Sequence, residues 1–235
     1  ASLDNLNINL PDVERIFIDE LEEKYKQKSR VNVAWVDCCK ECLVTICNQM
    51  EPYRQMKITP FLLSELNDNE KLIKNDYDLI VTTAKHYENV ISEFNGNIHE
   101  IEKVILDLKM SSIISISKIP SHKSVALWSV TEIFLDIMRE ILNDFDNLQH
   151  IVSFVGEENL NTIKEQIKYT DYLIVPPEYI SLQMKGMIEA IHEYEMRGKN
   201  VILFEYQLNK GSAIHFQDMV LKRYKEKNEK RHKDS

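Results

Sequence analysis

The feature that most constrains the fold is a short apolar run that occurs twice, each time close behind an aspartate. Leu79–Val81 follows Asp78, and Leu173–Val175 follows Asp171 after one tyrosine. No polar residue interrupts either run, which is typical of a strand buried on both faces in a parallel sheet covered by helices. The sequence therefore predicts a buried central strand at each of the two places.

Strand-like and helix-like segments alternate along the rest of the chain. The predicted strands are Val31–Val36, Ile58–Leu63, Leu79–Val81, Val104–Leu108, Ser124–Val130, Ile151–Val155, Leu173–Val175 and Val201–Tyr206. The predicted helices are Asp12–Lys28, Cys39–Met50, Ser64–Lys74, Ala84–Phe94, Met110–Lys118, Thr131–Phe145, Glu157–Lys168, Pro177–Arg197 and Gly211–Lys227. Such alternation predicts an α/β fold with mostly parallel sheets and right-handed crossovers.

The recurrence of the apolar run predicts two lobes, each a mostly parallel sheet flanked by helices. The expected divisions are a connecting helix in residues 1–29, a first lobe from residues 30–108 and 201–220, a second lobe from residues 109–200, and a basic tail at residues 221–235. The second lobe is then inserted into the first, so that Val104–Leu108 and Val201–Tyr206 cross between them. This arrangement leaves a cleft between the lobes.

The charge and hydropathy of the chain narrow the classes of partner. The net charge is −9, which argues against a free-standing nucleic-acid-binding protein because phosphate contacts need a basic face. No apolar run approaches the roughly 20 residues of a membrane-spanning helix. Residues 1–11 are polar and show neither the basic nor the apolar region of a signal peptide. We therefore expect a cytoplasmic protein without membrane contact.

All four cysteines crowd into one segment, at Cys38, Cys39, Cys42 and Cys47. Such crowding does not suit a disulfide framework and favours reduced thiols in the cytoplasm. Metal or redox sensing by the first three is the alternative, but adjacent cysteines are awkward ligands for one tetrahedral ion. The five glycines form no phosphate-binding loop. We therefore expect neither a metal nor a cofactor.

Polar residues follow the strands of the first predicted lobe. The candidates for ligand contact are Asp37, Cys38, Cys39, Thr82, Thr83 and His86. Hydroxyls at the carboxyl end of a strand, with a helix N-terminus just beyond, suit a carboxylate or phosphate oxygen. In the simpler alternatives, Thr83 only caps the next helix, and His86 only packs or faces solvent.

The matching positions of the second predicted lobe are Ser129, Thr131, Pro176 and Glu178. Thr131 is also suited to cap the helix that follows it. Ser129 lies outside any GxSxG motif, so the sequence does not support a nucleophilic role for it. Pro176 and Pro177 are equally suited to end a strand and begin a helix. The second lobe is thus expected to complete the rim of the cleft.

Segments from both lobes carry a resemblance to a known family. They are Asp78–Thr83 with His86, the two candidate crossing strands, Asp171–Pro176, and Phe204–Ser212. Over about residues 30–220 the chain resembles the effector-binding domain of GntR-type bacterial transcription regulators. Those domains have the two-lobed fold of type 2 periplasmic binding proteins, and the resemblance implies the same fold here.

The resemblance also implies a function without catalysis. A small effector would bind in the inter-lobe cleft of a cytoplasmic homodimer. The hydroxyls and helix N-termini named above suit an anionic one. A winged helix-turn-helix would precede this chain and contact the DNA. The alternatives are a lyase or transferase acting on a small acid, for which Asp37 and His86 are the candidate acid–base pair, and an extracytoplasmic solute-binding protein.

Overall fold

The computed structural model of the protein describes residues 30–66, 76–94 and 101–233. Three predicted elements lie wholly or mostly outside these residues, namely the helix Asp12–Lys28, the helix Ser64–Lys74 and a turn at Asn95–Asn97.

The described strands and helices alternate along the chain. The strands are β1 Val31–Asp37, β2 Met56–Leu62, β3 Leu79–Thr83, β4 Ile101–Val104, β5 Leu106–Leu108, β6 Ser124–Ser129, β7 His150–Val155, β8 Tyr172–Val175, β9 Asn200–Leu203 and β10 Tyr206–Leu208. The helices are α1 Lys40–Met50, α2 Tyr87–Glu93, α3 Met110–Ser117, α4 Glu132–Leu142, α5 Leu160–Ile167, α6 Glu178–Ser181, α7 Lys185–Met196 and α8 Lys210–Lys233. A single 3₁₀ turn, Leu63–Glu65, follows β2.

These strands form two parallel sheets and one short antiparallel ribbon. The first sheet has the order β2-β1-β3-β4, and the second has the equivalent order β7-β6-β8-β9. All strand pairs within both sheets are parallel. The ribbon pairs β5 with β10. The α/β prediction is confirmed, and the two apolar runs are equivalent strands, β3 and β8.

Helices cover both faces of each parallel sheet. In the first sheet, Trp35 packs edge-on against Phe216 of α8, with ring centroids 6.0 Å apart. On the opposite face, Ile80 packs with Val90 of α2. The second sheet packs against Phe134 of α4 on one face and against α5 and α7 on the other. Burial on both faces explains why the strand sequences lack polar alternation.

The repeated aspartates hold the amino ends of neighbouring strands together. An Oδ2 atom of Asp78 accepts a hydrogen bond of 2.8 Å from the backbone N–H of Asn32. Asp171 does the same for the backbone N–H of Ser124, at 3.0 Å. Both aspartates thus lie where the strands begin, on the side of the sheet opposite the strands' carboxyl ends. The repeated aspartate is part of the fold rather than of a ligand site.

The pKa of Asp171 is lowered to about 2, first by the hydrogen bond from Ser124 and then by Lys123. A carboxylate with a lowered folded-state pKa stabilises the fold above its unfolded pKa, and that contribution is lost as the pH falls through the folded value. We expect Asp171→Asn to abolish this part of the acid sensitivity between about pH 4 and pH 2. Midpoints of urea denaturation, measured for both proteins across this pH range, test this expectation. If the two midpoints change in parallel with pH, the expectation is wrong.

Two predicted strands are each two strands in the structure. The predicted Val104–Leu108 joins the end of β4 to β5, which separate at the exposed Ile105. The predicted Val201–Tyr206 likewise joins β9 to β10, with a break at Phe204 and Glu205. Ile105 and Phe204 are apolar like the residues before them, so the sequence does not mark the place where the chain leaves a parallel sheet for the ribbon.

The predicted helix Pro177–Arg197 is also two helices, α6 and α7. The interruption includes Gln183, which has a positive φ of 55°. Positive φ is unfavourable for a residue with a side chain and cannot continue a right-handed helix. Gly198, with φ of 72°, follows the end of α7 as predicted.

Within residues 30–66, 76–94 and 101–233, no helix combines the length and the apolar character needed to cross a membrane.

Candidate functional site

A cavity of about 350 Å³ lies where the carboxyl ends of β1 and β3 face helix α4. Its polar wall includes Asp37, Thr83 and His86 from the first sheet and its loops. Its other walls come from the β4–β5 junction, from α4, and from Tyr206 of the ribbon. Open α/β sheets bind ligands outside the carboxyl ends of their strands, so the cavity is placed where a ligand site is expected.

Four of the charged groups of this cavity interact in two pairs, and a fifth, Asp144, also lines it. Lys85 Nζ lies 3.0 Å from Glu140 Oε2, and the pair bridges the cavity mouth between the β3 loop and α4. Deeper in, His86 Nε2 lies 3.7 Å from Asp37 Oδ1. Burial raises the pKa of Asp37. The pKa of His86 is also raised, first by its contact with Cys38 and further by Asp37. A raised imidazole pKa favours the protonated, positively charged form of His86.

The second sheet contains a set of hydrogen-bond donors that is already occupied by a carboxylate. Glu41, near the start of α1, is fully buried and reaches across to the carboxyl end of β6. Its Oε1 accepts hydrogen bonds from Ser129 Oγ at 3.1 Å and from the Thr131 backbone N–H at 2.8 Å. Its Oε2 accepts one from Thr131 Oγ1 at 2.9 Å. We call these three donors the Ser129–Thr131 cradle.

Thr131 performs two tasks in this cradle. It is the N-cap of α4, with extended backbone angles, and its Oγ1 accepts a hydrogen bond from the Phe134 backbone N–H. The same hydroxyl donates a hydrogen bond to Glu41 Oε2. Capping fixes the threonine so that its own N–H points at the carboxylate, and the positive end of the helix dipole favours an anion there. The cradle therefore binds an anion with neutral donors alone.

A second carboxylate joins the sheets on the other side of α1. Thr45 Oγ1 donates a hydrogen bond of 2.5 Å to Glu178 Oε1. The other oxygen, Glu178 Oε2, is buried without a hydrogen-bond partner in the described chain. Both residues line a smaller cavity of about 230 Å³, together with the ion pair of Lys109 and Glu205. This cavity is polar and offers both signs of charge.

The pKa of Glu178 is raised by burial. A carboxyl with a raised folded-state pKa stabilises the fold fully below its unfolded pKa, and the contribution is lost as the pH rises through the folded value. We expect Glu178→Gln to remove a loss of stability that the parent protein shows on raising the pH above about 4.5. Thermal midpoints against pH measure it, and a pH-independent difference between the two proteins would contradict the expectation.

The candidates from the first sheet do not all meet at the cavity. Asp37, Thr83 and His86 line it, whereas Cys38 and Cys39 lie directly behind Asp37. Thr82 is fully buried, and its Oγ1 has no partner among the described residues. Side chains alternate along a strand, so Thr82 faces away from Thr83 and from the cavity.

Helix α2 begins later than predicted, so Thr83 is not in the position to cap it. The prediction began the helix at Ala84, but α2 begins at Tyr87 with His86 at its N-cap, and no side chain caps it. Thr83 is therefore not a helix cap. Ala84 instead donates its backbone N–H to Val104 of the neighbouring strand. The later start leaves Thr83 as the last residue of β3 and His86 on the short loop after it, both at the cavity wall.

The second set of candidates is divided between three surroundings. Ser129 and Thr131 are covered by Glu41. Glu178 lines the smaller cavity, and Pro176 is buried at the end of β8 without lining either cavity. Pro177 is the N-cap of α6. The prediction that Thr131 caps a helix is confirmed.

The sequence did not indicate that Glu41 belongs to the site. An acidic residue in the first turn of a helix is favoured by the helix dipole alone, so its presence carried no signal of a distant partner. Its partners Ser129 and Thr131 are about ninety positions away. Thr45, Glu140 and Tyr206 were missed for the same reason, because only the folded chain brings them to the cavities.

The second half of the chain is similar to a known family. Residues 126–227 match the family model described as the YmtS Rossmann-like domain. The match begins within β6 and runs through the rest of the second sheet and through β10 of the ribbon into α8. No curated protein and no solved structure matches the chain. The matched description agrees with the parallel α/β sheet seen here, and it names neither a ligand nor a reaction.

Proposed function

We propose that this protein is the effector-binding domain of a cytoplasmic bacterial transcription regulator of the GntR type. In this proposal it has the two-lobed arrangement of type 2 periplasmic binding proteins and binds a small anionic metabolite between its lobes. The observation that carries the proposal is the Ser129–Thr131 cradle, because a carboxylate is already bound there. An effector with a carboxylate or phosphate group would bind by replacing Glu41.

The chemistry of the cradle supports an anionic effector. The backbone N–H and hydroxyl of Thr131 and the hydroxyl of Ser129 all donate to one carboxylate at the start of α4. Helix N-termini bind anions in this way. The neighbouring cavity offers both signs of charge, with Lys85 beside Glu140 and His86 beside Asp37. A ligand that spans both places would hold its anionic group in the cradle.

The ribbon supports a hinge motion between the proposed lobes. Strands β5 and β10 are three residues each, and they connect the segments that carry the two parallel sheets. Short connecting strands are places where hinge rotation concentrates its backbone changes. In the proposal, Glu41 holds the lobes closed without ligand, and the effector shifts their equilibrium by its differential affinity for the two arrangements.

Binding of simple anions tests the proposed site. We expect succinate or inorganic phosphate to raise the thermal midpoint of the protein and Ser129→Ala to weaken that binding about tenfold, since hydrogen bonds to charged groups contribute about 1.5–3 kcal/mol. Ser117→Ala is the matched control, because Ser117 is exposed and bonds only within α3. No response to either anion, or equal responses in both variants, would contradict the proposal.

The regulator hypothesis also includes partners. A winged helix-turn-helix ahead of this chain would contact DNA, and two chains would form a homodimer. The net charge of −9 fits a domain that leaves DNA contact to another segment. Sedimentation of the protein with and without phosphate tests the dimer, which is expected at micromolar concentration.

A second candidate function is an enzyme acting on a small acid. It is favoured by the neighbouring positions of Asp37 Oδ1 and His86 Nε2 at the cavity wall, 3.7 Å apart, a separation that would shorten to hydrogen-bond distance when substrate binds. Replacing His86 with alanine separates the two hypotheses. A sensor keeps most of its anion-induced stabilisation through the cradle, whereas an enzyme loses turnover.

A further inference from the structure

A compact group of metal-ligating side chains lies at the polar wall of the larger cavity, which its members Asp37 and His86 line. A carboxylate oxygen of Asp37 and the sulfur atoms of Cys38 and Cys39 all lie within 4.8 Å of one another. His86 Nε2 is 3.7 Å from Asp37 Oδ1, and its ring is within hydrogen-bonding reach of Cys38. Three potential ligands therefore converge at the carboxyl end of β1, and a fourth, His86 from the loop after β3, lies against Asp37 at the side of this group.

Packing alone leaves part of this group unsatisfied. Asp37 is 1% exposed, and its Oδ2 has no hydrogen-bond partner within the described chain. Its Oδ1 accepts a bond from the backbone N–H of Cys38. A buried carboxylate is costly unless it is paired or coordinates a metal. Among the described residues, the ion pair formed by Asp37 is the one with the imidazole of His86, so a bound cation would satisfy the remaining oxygen.

We propose that Asp37, Cys38, Cys39 and His86 bind a thiophilic divalent cation of the Zn²⁺ type. Thiolate, imidazole and carboxylate are the ligands that Zn²⁺ takes in proteins, four to an ion. Tetrahedral Zn–S bonds of about 2.3 Å need the two sulfur atoms roughly 3.8 Å apart. That spacing is compatible with the cluster as it stands. The proposal departs from the expectation that the chain binds no metal.

The turn from β1 into α1 removes the objection to adjacent cysteine ligands. In a regular strand, the side chains of neighbouring residues point to opposite faces. Here Cys39 is the N-cap of α1, where the chain changes direction, and both sulfur atoms lie near the same Asp37 oxygen. The sequence shows the two cysteines side by side but not the turn that brings their sulfur atoms together.

The other two cysteines, Cys42 and Cys47, lie in helix α1 outside the proposed set of ligands. Cys42 is buried one turn after Cys39 and within hydrogen-bonding reach of it. Cys47 lies farther along α1, outside the group formed by Asp37, Cys38 and Cys39. All four cysteines are free thiols. Cys47→Ser therefore removes a thiol of the same helix without touching the proposed site.

Titration of the reduced protein with Co²⁺ tests the site directly. We expect a single Co²⁺ per chain, with a sulfur-to-cobalt charge-transfer band and the intense visible bands of tetrahedral cobalt, both lost on adding Zn²⁺. Cys39→Ser should weaken Co²⁺ binding about a hundredfold or more, because removing even an outer-shell partner of a metal ligand costs 10- to 100-fold. Cys47→Ser should bind like the parent protein.

Further variants keep the test decisive if Cys39→Ser does not fold. Cys38→Ser changes a half-buried residue, and Asp37→Asn keeps every thiol; both should lose the tetrahedral spectrum. The proposal is overturned if the reduced protein shows no charge-transfer band. It is also overturned if the band survives in Cys38→Ser and disappears in Cys47→Ser. A Cys39–Cys42 disulfide whose reduced form binds no Co²⁺ would assign the cluster to redox chemistry instead. None of these outcomes depends on anion binding by the cradle.

Discussion

Replacing Glu41 with alanine is expected to lower the free energy of unfolding by about 3 kcal/mol. The variant loses three hydrogen bonds between α1 and the carboxyl end of β6. It also leaves the hydroxyl of Ser129 and the N–H of Thr131 without their acceptor. Buried donors without partners cost more than the bonds themselves contribute, because nothing replaces the water they gave up on folding.

Urea denaturation measures this loss, and two variants calibrate it. Glu41→Gln keeps an acceptor oxygen for the Thr131 N–H but loses the charge, so its unfolding free energy should lie between those of Glu41→Ala and the parent. Glu193→Ala removes an exposed glutamate that pairs with Lys164. Exposed ion pairs contribute little to stability, so this control should unfold like the parent. Equal midpoints for Glu41→Ala and Glu193→Ala would contradict the account of the cradle.

Replacing Phe134 with alanine is expected to cost about 3–5 kcal/mol of unfolding free energy. Phe134 is fully buried in the first turn of α4. Its ring meets the ring of Phe204 edge-on, with centroids 6.0 Å apart, and that of Tyr206 at 5.8 Å. These two partners lie at the start of the ribbon strand β10 and just before it. The aromatic group therefore fixes α4 against the segment proposed to act as a hinge.

The adjacent residue provides the control for Phe134. Ile133 lies in the same turn of α4 but is 50% exposed. Ile133→Ala should change the unfolding free energy by no more than about 0.5 kcal/mol, as is usual for surface positions. Chemical denaturation of both variants decides the matter. Similar losses in the two would mean that Phe134 does not hold the helix to the ribbon.

Local sequence patterns were sufficient to predict most of the fold. The uninterrupted apolar run Leu79–Val81 corresponds to the buried strand β3, and its repeat corresponds to β8. Thr131 was predicted as a cap, because capping depends on neighbours in sequence. These features follow from burial on both faces and from bonds within a few residues, which a short stretch of sequence contains.

The missed features depend on contacts between distant parts of the chain. Ile105 does not differ visibly from its apolar neighbours, although the chain changes sheets there. Glu41 looks like an ordinary acidic residue at a helix start, yet it fills the cradle of the other sheet. Thr82 and Thr83 appear equivalent in sequence, but strand alternation turns only Thr83 towards the cavity. Such choices are made by tertiary packing, which overrides local preference.

Chemical rescue of Glu41→Ala by acetate tests the central claim most directly, since acetate is the carboxylate that the substitution removes. The measurement is the thermal midpoint of the variant and of the parent as acetate replaces chloride at constant ionic strength. If the Ser129–Thr131 cradle is an anion site, acetate should raise the midpoint of Glu41→Ala much more than that of the parent, in which an anion must first displace Glu41 from the cradle. Equal responses of the two proteins, or no response in either, would contradict it.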